Sequence, residues 1–351
     1  MTRVYLDHNA TTPLRSEARE AMVAAMDVVG NPSSVHGEGR AAKAIVERAR
    51  EQVAVAIGAV DADVIFVASA TEAAALAMRG RDLLVSGIEH DAVGAWGVAA
   101  LGADGDGQVA VVDPARSCVQ VANGETGVVQ ALPNGLALSD ATQAVGKIAF
   151  DFNASGVEMV ILSAHKFGGP KGVGALVVKR GTDVAAQIIG GGQESGRRAG
   201  TENVIGIAGF GAAAVSAVHD VDCGMWARVE KLRDLLEDRL AVSVKETIFV
   251  GKGARRLPNT VSMITAGWKG ETQVMQMDLA GIAVSAGSAC SSGKVRPSSV
   301  LRAMGYDDVQ AASAIRVSMG LSTTEEDVMR FADAWLAQYE KYSAIPRVGA
   351  A

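Results

Sequence analysis

Cysteine is scarce in this chain: three in 351 residues, Cys118, Cys223 and Cys290. No two share a CxxC spacing, so no metal site is written into them, and they make no disulfide framework. A cysteine that matters here matters singly, as a thiol. Aromatic residues are only 4% of the total, so the core has to be built from Ala, Val, Leu, Ile and Met. The opening MTRVYLDHNATTP holds no apolar signal region, and no run of about 18 apolar residues appears anywhere. The expectation is a cytoplasmic protein without a membrane partner. Positive charge is not in surplus either. A net charge of −6 argues against direct nucleic-acid binding. The phosphate-loop pattern GxxxxGK[ST] is absent; residues 287–294 come nearest, with the second glycine one place late and Val295 where Ser or Thr is needed.

What is present is a chain long enough for one large domain and a smaller one. Short apolar runs near 64–67, 83–85, 109–112, 119–122, 136–138, 157–163 and 175–178 read as strands, several of them separated by helical stretches. That alternation argues for a parallel sheet in an α/β domain. Residues 16–28 and 39–57 read as helices, the second amphipathic, and another helix is expected from about Asp91. A helical stretch around 225–240 leads out of this domain. Residues 247–351 form a second α/β unit, with strands at 248–250, 259–264 and 314–318 and a capping box at Ser322-Thr323-Thr324-Glu325 opening the last helix.

The stretch 157–174, VEMVILSAHKFGGPKGVG, organises the rest. A buried strand ends in Ser163-Ala164-His165-Lys166 and a glycine-rich loop follows. The Lys166 amine could form a Schiff base with a carbonyl while Ser163 and His165 bind a phosphate, and pyridoxal phosphate offers both groups. A lysine beside glycines can equally be a solvated loop residue, so partners are needed elsewhere. In a parallel sheet, ligands sit at the carboxyl ends of the strands. Thr71, His90, Asn123, Asp140 and Lys166 cluster there. Asp140 suits a protonated pyridine nitrogen, or a helix N-cap. Gln143 could reach the phenolic oxygen of the ring. His90 could stack on the ring and shuttle protons, or be a hydrogen-bonded structural residue. Ala70 and Thr71, at a helix start, could hold phosphate, or form an ordinary cap. Two polar glycine-rich stretches remain. Residues 190–203 look like a loop crossing a site or an interface. Residues 285–293 place Cys290 among small residues, as a reactive and accessible thiol requires.

Taken in order, YLDHNATTP, GNPSSVH, SATEAAALAM, IEHDAV, NGETGVVQ, SDATQAVGK, SAHKFGGPKGVGAL, GGGQESGRRAGTEN, GSACSSGKVRPSSVLRAMG and IRVSMGLSTTEEDV resemble the cysteine desulfurases, in the class V aminotransferase group of fold type I pyridoxal-phosphate enzymes. The resemblance spans nearly the whole chain. It implies an α/β fold: a large domain with a mostly parallel seven-stranded sheet over residues 14–244, and a smaller α/β domain from 1–13 and 245–351 that carries the Cys290 loop. It also implies Lys166 as the Schiff-base lysine, Asp140 on the pyridine nitrogen, Gln143 on the phenolic oxygen and His90 on the ring. Ala70, Thr71, Ser163 and His165 would hold the phosphate, and Thr201 would reach the phosphate of a neighbouring subunit in a homodimer. Asn123 and Arg316 would contact substrate, with Arg316 gripping its carboxylate. Cys290 would accept sulfur from L-cysteine as a persulfide, leaving alanine, and pass it to an iron–sulfur scaffold or another acceptor protein.

Some residues depart from the family pattern. Gly124 stands where the family has a second asparagine that contacts cofactor and substrate. The stretch 127–140 is short by a helix, 99–123 is compressed, and Ser69, Ala74 and Ala75 replace the usual residues. Two other readings follow from these residues. One is a different fold type I enzyme, a selenocysteine lyase or an aminotransferase, against which Cys290 speaks in the second case. The other is a low-activity, cofactor-binding subunit in sulfur trafficking.

Overall fold

The computed structural model describes residues 3–287 and 296–344, and Cys290 lies outside them. The larger sheet runs in the order Ala62–Val67, Gly174–Lys179, Met159–Ser163, Ser139–Asp140. Its first two junctions are antiparallel and the third is parallel. Past Ser139–Asp140 the extended stretch 117–121 continues the sheet: Val121 N–H donates to Asp140 O at 2.8 Å, and Cys118 N–H donates to Leu84 O at 2.8 Å on the other side. Leu84–Ser86 then pairs in parallel with Val98–Leu101. The parallel strands sit side by side in the interior, where Val, Ile and Leu fill both faces.

One expectation fails in the compressed region, and a helix before it is shorter than the pattern suggests. No strand forms at 109–112; Val109 makes only an isolated bridge to Ala103. Asp104 Oδ1 accepts from the N–H groups of Asp106 and Gln108, and Gly107 takes φ +78°, so Asp-Gly turn chemistry governs this stretch. The helix expected from Asp91 stops at Gly94, and Val98–Leu101 is a strand instead. Gly97 lies directly on Val85, where any side chain would collide, and the chain turns there into the sheet.

Three helices cover one face. Val204–Asp222 packs against Ser16–Met26 and Gly37–Ala56. Gly209 and Gly211 make the approach close enough, since a Cβ at either would strike Met22 or the Ala49 backbone. Val204–Asp222 is long and apolar enough to cross a membrane by length and composition alone, but here it is a core helix with Phe210 and Ala213 fully buried.

A second sheet, wholly antiparallel, orders Ser285–Ala286, Ala314–Ser318, Thr260–Ile264 and Ile248–Phe249. Its core joins Trp335 and Phe331 of the last helix to Val229, Leu236 and Leu240 of helix Trp226–Ser243. The last helix spans Glu325–Ser343, and its capping box is Thr324 with Asp327, two residues beyond the expected one. Ser322 lies in the turn before it. The N-terminal strand Val4–Tyr5 pairs with Ile282–Ala283 beside this second sheet. The chain then crosses to the first sheet, where Thr12 N–H donates to His165 O at 2.9 Å. That crossing lays residues 7–12 over the carboxyl ends of the large sheet.

Candidate active site

The register of the large sheet brings the expected residues to one edge. Ser163 pairs with Gly174, which pairs in turn with Val67, and Asp140 pairs with Ile161. A Cβ at Gly174 would come within 2.8 Å of Ser69 and 3.1 Å of Ala70 N. Glycine there lets the helix Ala70–Met78 begin against the strand ends. The first turn of a helix has no internal acceptors for its N–H groups, and the Ser69 hydroxyl takes only that of Glu72. Those of Ala70 and Thr71 are left for an anion, which the helix end also favours.

Lys166 closes a single 3₁₀ turn, Ala164–Lys166, directly after strand Met159–Ser163. Its Nζ donates to Asn9 O at 2.7 Å and Ala10 O at 3.0 Å. Gln143 Nε2 donates to the same Asn9 carbonyl at 2.9 Å. The Asp140 carboxylate, nearly buried, accepts the Thr142 N–H at 2.8 Å on one oxygen. His165 Nδ1 lies 3.2 Å from the Thr11 hydroxyl.

A cavity of about 220 Å³ opens beside Lys166, with His90, Asn123, Gln143, Glu125 and Arg316 on its wall. His90 is exposed there, and its Nδ1 accepts from Ala92 N–H at 3.1 Å, which leaves Nε2 as the protonated nitrogen of the neutral ring. Asn123 spends its side chain on structure: Nδ2 donates to Ile88 O, and Oδ1 accepts from the N–H groups of Glu125 and Thr126. Arg316, on strand Ala314–Ser318, donates to Asp7 Oδ1 at 2.9 Å and to Gly124 O at 3.1 Å, and its buried Nε has no partner among the described residues. The cavity therefore presents an amine, an imidazole and a guanidinium from three different elements. Thr201 stands apart, on the wall of a separate cavity with Ala68 and Asn203. Cys290 lies outside the described residues; Gly287 and Ser299, on either side of residues 288–295, both line the Lys166 cavity.

Burial and the Arg316 charge push the Lys166 amine down to about 8, with Asp140 and Asp7 opposing them. An amine that sheds its proton near neutrality is a competent nucleophile. Burial, then Lys166, Lys171 and Lys147, lower His165 to about 4. A bound dianion would reverse that charge balance. The fully buried Glu89 carboxyl is pushed up to about 8 by burial, with Asp140 adding to it, so it sits neutral beneath His90.

Sequence reasoning overlooked Asn9 and Asp7. Asn9 links both sheets: its Nδ2 donates to Thr260 Oγ1 and Gly124 O, and its Oδ1 accepts from Asn259 and Lys147. Their only signal was an unusually polar turn directly after an apolar strand. Glu125 was also missed; it is half-buried and accepts from Ser298 Oγ at 2.6 Å.

The residues fit pyridoxal phosphate by their chemistry. An amine able to lose its proton, a near-buried carboxylate with one oxygen uncommitted, and a helix start flanked by Ser163 and His165 meet at one sheet edge. The aminotransferase class-V family model matches residues 4–104 and 118–331. The chain is 39% identical to a cysteine desulfurase of Cereibacter sphaeroides, over 100% of this chain and 99% of that one. It is 37% identical to the cysteine desulfurase IscS of Dictyoglomus turgidum, over 93% and 91%. Among solved structures, a NifS-like protein of Rickettsia africae superimposes with a TM-score of 0.88 at 31% identity, covering 96% of this chain and 99% of that one. Sheet order, site chemistry and these matches agree: the chain belongs to the class-V aminotransferase family, among its pyridoxal-phosphate-dependent cysteine desulfurases.

Proposed function

We propose that this protein removes sulfur from L-cysteine, releasing L-alanine and leaving a persulfide on Cys290 for delivery to iron–sulfur cluster assembly or another acceptor protein. The observation that carries the reading is the Lys166 amine, fixed on two carbonyls at the sheet edge beside Asp140 and facing the cavity that Arg316 shares. Pyridoxal phosphate, when bound, supplies an aldehyde that bonds to amines and a ring that takes up electron density from the substrate. With the cofactor bound, the Lys166 amine would hold its aldehyde and, once freed, would accept the substrate's α proton on Nζ. Asp140 would keep a proton on the ring nitrogen through its uncommitted oxygen. Gln143 would donate to the phenolic oxygen, and His90, with its proton on Nε2, would lie against the ring. Ala70, Thr71, Ser163 and His165 would hold the phosphate. Arg316 orients the substrate carboxylate, with Asp7 and Gly124 O holding its plane. Asn123 shapes the turn on which that carboxylate rests. The Cys290 thiolate attacks the substrate sulfur: an S–S bond forms, the C–S bond breaks, and its electrons pass into the bound product, which becomes alanine on gaining protons.

The working form in this reading is a cytoplasmic homodimer. Thr201 lies outside the Lys166 cavity, on the loop 190–203, which suits a residue serving the partner's phosphate site. The same loop borders an open groove of about 760 Å³ with Arg40, Glu47 and Arg197 on its walls.

The test is Cys290→Ala in protein loaded with pyridoxal phosphate. Alanine release from cysteine should fall to background while the visible absorption of the bound cofactor persists. Unchanged turnover would remove Cys290 from the mechanism.

A further inference from the structure

Lys147 is a buried lysine beside the active site that the reaction leaves unused. It is 2% exposed, and its Nζ donates to two neutral oxygens, Gln143 Oε1 and Asn9 Oδ1, the latter at 3.1 Å. Among the described residues it makes no ion pair; the charged groups acting on it are Lys166 and Arg316, both cations, and His8 feels its charge in turn. A lysine buried among cations without a carboxylate is expensive to keep. Its geometry shows what it does there. A glutamine amide has a donor end and an acceptor end of nearly equal shape, and its neighbours decide which end faces a site. Lys147 donates N–H to Gln143 Oε1, and the Asn9 carbonyl, which also holds Lys166 Nζ, can accept only from the NH₂ end of the Gln143 amide. The amide is thereby locked with its NH₂ end toward Lys166. Through Asn9 Oδ1, Lys147 also steadies the residue whose main-chain carbonyl holds Lys166 Nζ.

We propose that Lys147 is a positioning residue for the cofactor: it fixes the Gln143 amide as a hydrogen-bond donor to the phenolic oxygen and braces the Asn9 carbonyl beneath the Lys166 amine. This rests on the reading of Gln143 given above. Gln143→Leu, Lys147→Met and the double variant are loaded with pyridoxal phosphate, and the pH midpoint of the cofactor's visible absorption is measured in each. That midpoint reports the hydrogen bond to the phenolic oxygen; the Lys147 charge also acts on Lys166, so the double variant is what separates a route through Gln143 from a direct charge effect. Gln143→Leu should shift it by about one pH unit, a tenfold change in proton affinity. Lys147→Met should shift it in the same direction, and the double variant no further than Gln143→Leu alone, because both act through one contact. A wild-type midpoint in Lys147→Met beside a shifted Gln143→Leu overturns the proposal. A wild-type midpoint in Gln143→Leu shows instead that Gln143 does not touch the phenolic oxygen, and the role of Lys147 falls with it. Should Lys147→Met fail to fold, Lys147→Gln keeps one donor toward Gln143 and should hold the wild-type midpoint. A Gln143→Leu-like midpoint in that variant overturns the proposal too.

Discussion

A primary amine bonds to a carbonyl only when neutral and only when held still. Two carbonyls fix the position of Lys166 Nζ, and burial together with Arg316 lowers its proton affinity to about 8. The sign follows directly: protonated below that value, the amine is inert, and above it the lone pair is free. Cofactor uptake by the apoprotein should therefore accelerate with pH and reach half its maximum near 8. Stopped-flow mixing with pyridoxal phosphate measures this, and a rise only near the ordinary lysine value would mean that the site exerts no such effect. Arg316 makes a second case. Its planar group is held by Asp7, which lies in the N-terminal crossing, so Asp7→Asn should weaken the grip on substrate. Losing one charge-assisted bond costs about 1.5–3 kcal/mol, so KM for cysteine should rise roughly tenfold or more. An unchanged KM would remove Asp7 from the site.

At the scale of elements, the loop 190–203 is pinned by one buried carboxylate. Glu194 accepts from Arg50 on both oxygens and from Phe66 N–H at 2.9 Å, while its own backbone takes φ +49° and that of Ser195 +58°. A left-handed non-glycine pair persists only where its surroundings hold it. Glu194→Ala should destabilise the protein by about 3 kcal/mol, the low end for a broken buried pair because Arg50 keeps Glu47. Urea unfolding checks this; a loss below about 1 kcal/mol would show that the loop is held elsewhere. The same scale shows what the sequence could and could not disclose. Strand Met159–Ser163 with Lys166 at its tip was legible because β-branched residues run directly into polar ones. Asp140, Gln143 and His90 were legible because each follows an apolar run. Asn9 and Lys147 were not: the partners of the Asn9 side chain lie 115 or more residues away in sequence, and Lys147 four residues after Gln143 looks like an ordinary surface pair on one helical face. The valines at 109–112 misled because Asp104 and Gly107 impose a turn that apolar patterning does not register.

Across the whole molecule, burial of neutral histidines ties stability to pH. His8 is lowered from 6.5 to about 4 by burial and Lys147, and His165 falls to about 4 as well. The unfolded chain binds protons that the fold refuses, so stability falls as pH drops from 6.5 toward 4. At pH 5 the loss from His8 alone is about 2 kcal/mol. Urea midpoints of the apoprotein at pH 7 and pH 5 measure it, and equal midpoints would contradict the buried neutral state. Dimerisation makes its own prediction. If Thr201 serves the partner's site, mixing Lys166→Ala with Thr201→Val subunits should restore about a quarter of wild-type activity, since each mixed dimer contains one intact site. No recovery would place Thr201 in its own subunit's site or outside both.

The most direct measurement traps the bond itself. Protein incubated with pyridoxal phosphate is reduced with borohydride, digested, and the peptides weighed. The pyridoxyl group should be found on Lys166. Its appearance on Lys147, on Lys171, or on no lysine at all would contradict the assignment on which the rest depends.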